Sequence, residues 1–270
     1  MSVLATRTVA KPWGRVELPA PFTNGGPEAI GEIWFEPAPE LDGVLVKYIF
    51  TSENLSVQCH PSDAQTLAKG QGRQGKEECW LVLEALPDAR LAIGFLQPVD
   101  VPTMRAAALD GSIVDMLDWH PVAAGDFFYI PANTVHAIGA GVTLVEVQQN
   151  SDITYRIFDY GRPRELHLDE GLAVALGEPY PAHLHRKLDA TGPVTLVDGP
   201  FFRLDRLDGN LDAATLARYR GTVQVIPLDC AVAVNGIAVV PGQSAVTGAI
   251  DLIDIPPGGL CLITQEIRAS

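Results

Sequence analysis

The chain has 270 residues, of which 47% are hydrophobic and 19% charged, enough for one large domain or two of ordinary size. Its 33 acidic and 19 basic residues give a formal net charge of −14, so a nucleic-acid-binding protein is not expected, because its surface would repel phosphates. An anionic small molecule can still bind where a few lysine or arginine side chains line a pocket.

Four cysteines, at positions 59, 79, 230 and 261, form no Cys-x-x-Cys pair and are too few for a disulfide framework. Reduced thiols in a cytoplasmic protein are therefore expected. Residues 1–13 contain no apolar stretch of signal-peptide length, and no run of 18 apolar residues occurs in the sequence. We predict a cytoplasmic protein that binds no membrane.

The first half of the chain is predicted to be rich in short strands, with loop and short strand over residues 1–30. The predicted strands are residues 30–36, 44–50, 55–60, 76–84 and 89–95. Lys47 is a charged residue within the apolar strand 44–50. The ordinary explanation is that this strand lies at the edge of a sheet and the lysine extends its ammonium into water. Helical periodicity is predicted at about 62–70 and again at 101–119, where an Asp-Gly pair interrupts it.

A hairpin follows at residues 125–149. Its first strand, residues 127–130, is aromatic and β-branched and ends at the turn Pro131-Ala132-Asn133. His136 comes directly after this turn, and the return strand, residues 142–149, carries Glu146 among apolar residues. The hairpin is therefore expected to present an imidazole at its bend and a carboxylate three or four residues into its return strand.

The second half is predicted to be a separate β-rich unit. Residues 163–176 have a helical pattern, residues 177–195 are proline-rich and irregular, and short strands return from residue 195 onward. No histidine follows His185, so this part is expected to pack and not to bind a metal. We divide the chain into residues 1–185, with helical insertions at about 62–70, 101–119 and 163–176, and residues 186–270.

Candidate metal ligands occur on two predicted strands of the first half and just after the turn that ends a third. Gln58 and His60 are two residues apart and point to the same face of one strand. His136 can point the same way if the strands close into a barrel. Either Glu77 or Glu78 could add a carboxylate. Such a nitrogen and oxygen set suits zinc, although manganese, iron or cobalt would also fit.

Four motifs carry a resemblance to a known family. They are residues 55–63 (LSVQCHPSD), 75–80 (GKEECW), 125–139 (GDFFYIPANTVHAIG) and 146–156 (EVQQNSDITYR). In this order they resemble the type I mannose-6-phosphate isomerases of the cupin superfamily, and in particular the short bacterial branch. The resemblance runs from about Trp13 to His167. It implies a mostly β fold, with a cupin-type β-barrel and a few helices followed by a second, degenerate cupin-like barrel.

The resemblance also implies roles for individual residues. The family's metal positions fall on Gln58, His60, Glu78 and His136, which favours Glu78 over Glu77, and one divalent metal, most readily Zn²⁺, is implied. The family's catalytic arginine falls on Arg156. Its strand lysine falls on Lys47, and the lysine of the Lys-x-Glu pair falls on Lys76. Lys47, Lys76 and Arg156 are the implied substrate-binding residues.

The implied reaction moves a proton between C1 and C2 of a sugar phosphate through an enediol. Glu146 is one candidate base, because burial in an apolar strand would raise its pKa, and Lys76 is the other. Arg156 stays protonated and is expected to stabilise the enediolate or bind phosphate. The ordinary alternatives are that Glu146 is a buried partner of Arg156 or of a ligand histidine, and that Lys76 is a solvated loop-end charge.

Two positions depart from the family. Gly75 stands where longer members often have a histidine that has been proposed as the base, so that mechanism is excluded here. Cys59 lies between two candidate ligands, and strand alternation turns it away from them toward packing.

Four functions remain open at this stage. They are a mannose 6-phosphate and fructose 6-phosphate isomerase, another cupin enzyme such as an oxygenase, a non-catalytic sugar-phosphate sensor, and an isomerase of an unphosphorylated sugar. The partner is expected to be a small sugar phosphate, and the protein is expected to be a monomer or a homodimer.

Overall fold

The computed structural model describes residues 2–209 and 211–267. Thirteen strands precede residue 188. They are Ser2–Val3 (β1), Thr6–Arg15 (β2), Ile30–Phe35 (β3), Val44–Phe50 (β4), Val57–Cys59 (β5), Glu78–Ala85 (β6), Arg90–Phe95 (β7), Leu117–Pro121 (β8), Asp126–Ile130 (β9), His136–Ile138 (β10), Val142–Gln149 (β11), Tyr155–Phe158 (β12) and His185–Lys187 (β13). The helices in this part are Asp63–Ala68 (α1), Val101–Asp110 (α2), Ile113–Met116 (α3) and Leu168–Leu172 (α4).

The remainder is also mostly strand. Its elements are Val194–Asp198 (β14), Phe202–Asp208 (β15), Ala213–Arg218 (α5), Val223–Pro227 (β16), Val232–Val234 (β17), Ile237–Val239 (β18), Ala245–Thr247 (β19), Ile253–Asp254 (β20) and Leu260–Glu266 (β21). Short 3₁₀ turns lie at Pro39–Leu41, Ala182–Leu184 and Ile250–Leu252. The expected mostly β fold with a few helices is confirmed. No helix of the described residues is long and apolar enough to cross a membrane.

Two antiparallel sheets enclose the candidate site. The seven-stranded sheet has the order β13-β9-β6-β11-β4-β3-β2, and the five-stranded sheet has the order β12-β5-β10-β7-β8. We call them the first sheet pair. The hairpin predicted at residues 125–149 is wrong, because β6 lies between β9 and β11. Buried side chains from both sheets, among them Trp80, Ile93 and Phe128, meet between them in one apolar cluster. Strand β4 alternates as predicted, with Val46 and Tyr48 in a different cluster on the outer face of its sheet.

The second sheet pair packs against that outer face. It consists of a six-stranded sheet, β1-β19-β16-β21-β15-β14, and a three-stranded sheet, β18-β17-β20. Phe202 and Leu262 of the second pair share a cluster with Val46 and Phe127 of the first. Helices α2 and α4 cover the outer face of the five-stranded sheet, where Met104 and Leu172 pack against Val57.

Local chemistry explains the ends of the helices. Asp100 accepts a hydrogen bond from the Thr103 amide at the start of α2, and Gly111, with φ of 87°, ends that helix at the predicted Asp-Gly interruption. Ser62 and Gln65 form a capping box at the start of α1. The Asp-Gly interruption could be predicted because a helix end depends on residues close together in the chain.

Three predicted boundaries were wrong. The helical segment 101–119 ends at Met116, because Leu117 begins strand β8, which pairs with β7. The helix predicted over 163–176 is reduced to α4, because the Leu176 amide pairs with the Asn133 carbonyl and draws the chain out of the helix. The first 15 residues contain the ten-residue strand β2 in place of the loop and short strand that the pattern favoured.

The proposed division at residue 185 stays a prediction. Strand β13, which begins at that residue, pairs with β9 of the first sheet pair. In the other direction, β1 pairs with β19 of the second sheet pair. Each sheet pair therefore contains a strand from the other side of the proposed boundary.

Candidate metal centre and cavity

Three predicted ligands converge between the sheets of the first pair. His60 follows β5, His136 opens β10, and Glu78 opens β6 in the opposite sheet. One ligand atom from each lies within 4.8 Å of the other two, and all three residues are buried. Nε2 of His136 is 3.4 Å from Glu78 Oε1, and Nε2 of His60 is 3.7 Å from Glu78 Oε2.

The fourth predicted ligand, Gln58, is the register partner of His136 across β5 and β10. Its Nε2 lies 3.3 Å from His136 Nε2, and its Oε1 accepts a hydrogen bond from Ser56. The two ends of an amide group are assigned from such hydrogen bonds, and a half rotation about the last torsion turns the oxygen toward the histidines. The structure thus brings all four predicted ligands together.

Backbone carbonyls orient both imidazoles. Nδ1 of His60 lies 2.9 Å from the Ile153 carbonyl oxygen, and Nδ1 of His136 lies 2.9 Å from that of Thr134. Each Nδ1 therefore carries the proton, and each Nε2 lone pair faces the centre. Burial, and then the charge of Lys76, lower the pKa of both rings, that of His136 to about 4. Neutral imidazoles are the form that binds metal.

The donor set fits a divalent cation. Within the described residues, Oε1 of Glu78 is buried and has no hydrogen-bond partner, which is costly for a carboxylate oxygen unless a cation binds there. Two neutral imidazoles, one carboxylate and one amide are ordinary ligands of zinc and related metals. The centre is thus suited to a divalent metal, while the assignment of each residue as a ligand stays a prediction.

Lys76 is part of this centre. Its ammonium donates to Glu78 Oε2 and lies 3.1 Å from His60 Nε2 and 3.7 Å from Glu146 Oε1. Its side chain is only 4% exposed, so the alternative of a solvated loop-end charge is wrong. Burial and the charge of Glu146 raise the pKa of Glu78 to about 7 against the opposing effect of Lys76.

Glu146 differs from the expectation. Its Oε1 is 2.8 Å from Lys47 Nζ, and its Oε2 accepts a hydrogen bond of 3.0 Å from the Trp80 indole. Burial alone would raise the pKa of Glu146, but Lys47, Lys76 and the two hydrogen bonds outweigh it and lower the pKa to about 2. The predicted upward shift is therefore wrong, and Glu146 is a fixed anion paired with Lys47 and not with Arg156 or a ligand histidine.

Lys47 is not an edge-strand lysine. Strand β4 lies between β11 and β3, and the Lys47 side chain is buried, with its ammonium 4.7 Å from the centre of the Trp34 ring. Burial would lower the pKa of Lys47, but the charges of Glu146 and Glu32 raise it. The lysine therefore stays protonated in the floor of the site.

Arg156 lies on β12 beside Gln58 of β5. It lines one cavity together with Gln58, Lys47, Lys76 and Glu146. Its Nη1 donates to the Glu165 carbonyl oxygen, and burial, followed by the nearby charge of Arg164, lowers its pKa. The guanidinium is half-buried, so it can meet a ligand that enters the cavity.

Several residues that line this cavity were not predicted from the sequence. They are Lys11, Trp13, Glu32, Ser56, Thr154 and Arg164. Glu32 could have been singled out from the sequence, because it is a carboxylate within an alternating strand. Lys47 was noticed for the same reason, as an ammonium within a strand. For Lys11 and Arg164 no sequence pattern was available, because the pairing of distant strands brings Lys11 to the cavity and the contact with Asp159 holds Arg164 there.

The two departures from the family have local explanations. A Cβ atom on Gly75 would overlap the Pro61 carbonyl oxygen and the backbone of Ser62, so no histidine fits there with this loop conformation. Cys59 is buried in the cluster beneath α2 and α4, and its thiol lies 3.5 Å from the Gly171 carbonyl oxygen. The prediction that Cys59 packs away from the metal centre is confirmed.

Comparisons with known proteins agree with this geometry. The chain is 38% identical over 169 residues to the mannose-6-phosphate isomerase of Streptococcus mutans, covering 59% of this chain and 52% of that protein. It is 34% identical over 173 residues to the mannose-6-phosphate isomerase ManA of Bacillus subtilis, covering 60% and 54%. The matched region thus spans about half the length of these curated relatives. No protein-family model matches the chain.

Solved structures extend the likeness in fold to nearly the whole chain. The mannose 6-phosphate isomerase of Bacillus subtilis superposes with a TM-score of 0.76 at 21% identity, over 97% of this chain and 98% of that one. A zinc-bound mannose 6-phosphate isomerase superposes with a TM-score of 0.71 at 15% identity, over 98% and 99%. The chain is therefore similar in sequence to mannose-6-phosphate isomerases over about 60% of its length, and it shares the fold of the solved ones.

Proposed function

We propose that the protein is a metal-dependent aldose–ketose isomerase that interconverts mannose 6-phosphate and fructose 6-phosphate. The observation that carries this proposal is the buried His60, Glu78 and His136 group next to Lys76 in a cavity that Arg156 also lines. The names of the relatives supply the substrate. A purely structural role would not account for so many buried charges at one point.

The metal centre is proposed to be held by Gln58, His60, Glu78 and His136, with zinc as the preferred ion. A bound divalent metal would supply Lewis-acid stabilisation of the sugar oxygens. The neutral state of both imidazoles and the unpaired Glu78 oxygen support this ligand set.

The proton transfer is assigned to Lys76. Isomerisation takes a proton from C2 of the aldose and returns one to C1, while the hydroxyl proton on O2 is exchanged for one on O1. Glu146 is a weak candidate for the base, because its pKa is lowered to about 2 and its oxygens already bind Lys47 and Trp80. Lys76 lies beside the ligand atoms, and in its unprotonated form its amine would take the proton from C2 and return it to C1. Arg156 is proposed to stabilise the negative charge of the enediolate.

Conversion of mannose 6-phosphate to fructose 6-phosphate by the purified protein tests the proposal. Chelation is expected to abolish turnover, and one equivalent of zinc is expected to restore it. Glu78→Gln should lower zinc affinity by at least about tenfold, measured by competition with a chromophoric chelator, because an anionic ligand is lost. Arg105→Gln, which changes an exposed residue paired with Asp169, is the control.

The remaining alternatives are separated in the same assay. A folded, metal-loaded protein that does not turn over mannose 6-phosphate would contradict the isomerase proposal. Binding of the sugar phosphate without turnover would then favour the sensor. Faster turnover of free mannose than of mannose 6-phosphate would favour an isomerase of an unphosphorylated sugar.

A further inference from the structure

The cavity has a buried floor and a more exposed mouth, both of them cationic. On the floor, the side chains of Lys47, Lys76 and Glu146 are 7%, 4% and 4% exposed. At the mouth, Lys11 and Arg164 are 28% and 23% exposed. A ligand that reaches the metal ligands therefore extends past Lys11 and Arg164 toward solvent.

Positive charge is concentrated along this path. Five of the residues that line the cavity are lysine or arginine and two are glutamate, in a chain whose net charge is −14. Such a concentration of one sign in a cleft attracts the opposite charge. On the floor, Glu146 pairs with Lys47 and Glu78 pairs with Lys76, so the cations that remain for a ligand anion are Arg156 and those at the mouth.

Arg164 is the cation best prepared to receive an anion. Its Nε and Nη2 donate to the two oxygens of Asp159 at 2.6 and 2.7 Å, and Asp159 is buried. The same carboxylate also binds Arg162, which has a second carboxylate partner in Glu53. Within residues 2–209 and 211–267, Nη1 of Arg164 makes no hydrogen bond. The guanidinium is thus held rigidly, with donors left over.

Lys11 is less available, because its ammonium is 3.5 Å from Glu32, which also accepts from the Trp34 indole. Arg156 has one donor engaged by a backbone carbonyl and lies close enough to Arg164 for the charge of Arg164 to affect it. Neighbouring guanidinium groups repel each other, and an anion that binds both of them offsets this repulsion. A phosphate monoester has three acceptor oxygens and matches the arginine fork.

From this arrangement, which rests on the proposed isomerase function, we infer that Arg164, positioned by Asp159, binds the phosphate group of the substrate at the mouth of the cavity. The reacting carbons C1 and C2 then lie at the floor, and the phosphate on C6 lies at the opposite end of the sugar chain. Arg164 in this way selects phosphorylated over free sugars, while Asp159 is a positioning residue.

Arg164→Gln tests the assignment, with Arg162→Gln as the matched control, because Arg162 shares Asp159 but does not line the cavity. For Arg164→Gln we expect KM for mannose 6-phosphate to rise by about 10- to 100-fold, as for a lost charge-assisted hydrogen bond, with kcat changed little. The inhibition constant of inorganic phosphate should rise in parallel. Arg162→Gln should leave both constants within about twofold of those of the wild type.

Calorimetric titration of the wild type and of both variants with inorganic phosphate separates the two proposals. Phosphate binding that is lost in Arg164→Gln and kept in Arg162→Gln supports the inference even if no turnover is found. Wild-type turnover with unchanged KM and phosphate binding in Arg164→Gln would overturn it. A fall in kcat at constant KM would also overturn it, since Arg164 would then act at the reacting atoms.

Discussion

The two buried carboxylates of the site, Glu78 and Glu146, have opposite electrostatic settings. Burial and the neighbouring charge of Glu146 raise the pKa of Glu78 to about 7. For Glu146, burial acts in the same direction, but Lys47 and Lys76 overcome it and lower the pKa to about 2. Glu146 is therefore a permanent anion that holds two lysines in place, while Glu78 has an oxygen free for a cation. Environment, and not residue type, separates their roles.

Glu146→Gln is expected to destabilise the protein strongly. The substitution leaves the Lys47 ammonium buried without a carboxylate partner, which costs about 3–5 kcal/mol in the free energy of unfolding. Turnover should also fall, because Lys76 loses the nearby anion at 3.7 Å. Urea unfolding of the zinc-loaded protein measures the first effect, and the isomerase assay measures the second.

The double variant Lys47→Met and Glu146→Gln is the control for this interpretation. With both charges removed, most of the lost stability should return, while activity should not. A double variant as unstable as Glu146→Gln alone would show that the cost comes from packing around Trp80 and not from the unpaired ammonium.

At the scale of elements, the loop that enters β6 is tied to the turn that follows His60. The Gly75 amide and the Gln149 side chain both donate to Asp63 Oδ1, at 2.7 and 2.9 Å. The Lys76 amide donates to the Pro61 carbonyl oxygen at 3.0 Å. These bonds fix the separation of His60 from Lys76 and Glu78. Gly75 is at the closest approach, where a Cβ atom would overlap the backbone of the turn.

Gly75→Ala is therefore expected to push the two ligand segments apart. We expect a loss of about 1–3 kcal/mol in stability from overpacking and a loss of about tenfold in zinc affinity. Gly25→Ala is the matched control, because its Cβ atom would meet nothing within 4 Å. Chelator competition measures the affinity. An unchanged zinc affinity in Gly75→Ala would mean that this loop does not set the ligand geometry.

The sequence predicted what depends on neighbours in the chain and missed what depends on strand pairing. Gln58 and His60 share a face because side chains alternate along a strand, so their convergence could be expected. The sign of the Glu146 pKa shift could not, since Lys47 lies opposite it only through the register of β11 and β4. Arg164 lies in the loop after β12 and is held by Asp159, which no sequence pattern indicates. The five residues Leu117–Pro121 (LDWHP) are too few and too mixed in polarity for periodicity to distinguish helix from strand.

At the scale of the whole molecule, the two sheet pairs share a core, and each contains a strand from the other side of residue 185. β1 pairs with β19, β13 pairs with β9, and Phe202 is 1% exposed in the cluster that joins the pairs. The outer face of β4 packs in that cluster, while the inner face carries Lys47. The second sheet pair therefore supports the strand from which the floor of the cavity is built.

We accordingly expect the two sheet pairs to unfold together. Phe202→Ala should lower the free energy of unfolding by about 3–5 kcal/mol and lower the midpoint temperature of a single calorimetric transition. Zinc, which would bind in the first sheet pair alone, should raise the midpoint of that same transition by linkage. Val225→Ala, in the core confined to the second sheet pair, is the control and should shift the same midpoint. Two separate unfolding transitions, with zinc raising the midpoint temperature of only one, would contradict this coupling. Such a result would favour independent domains divided near residue 185.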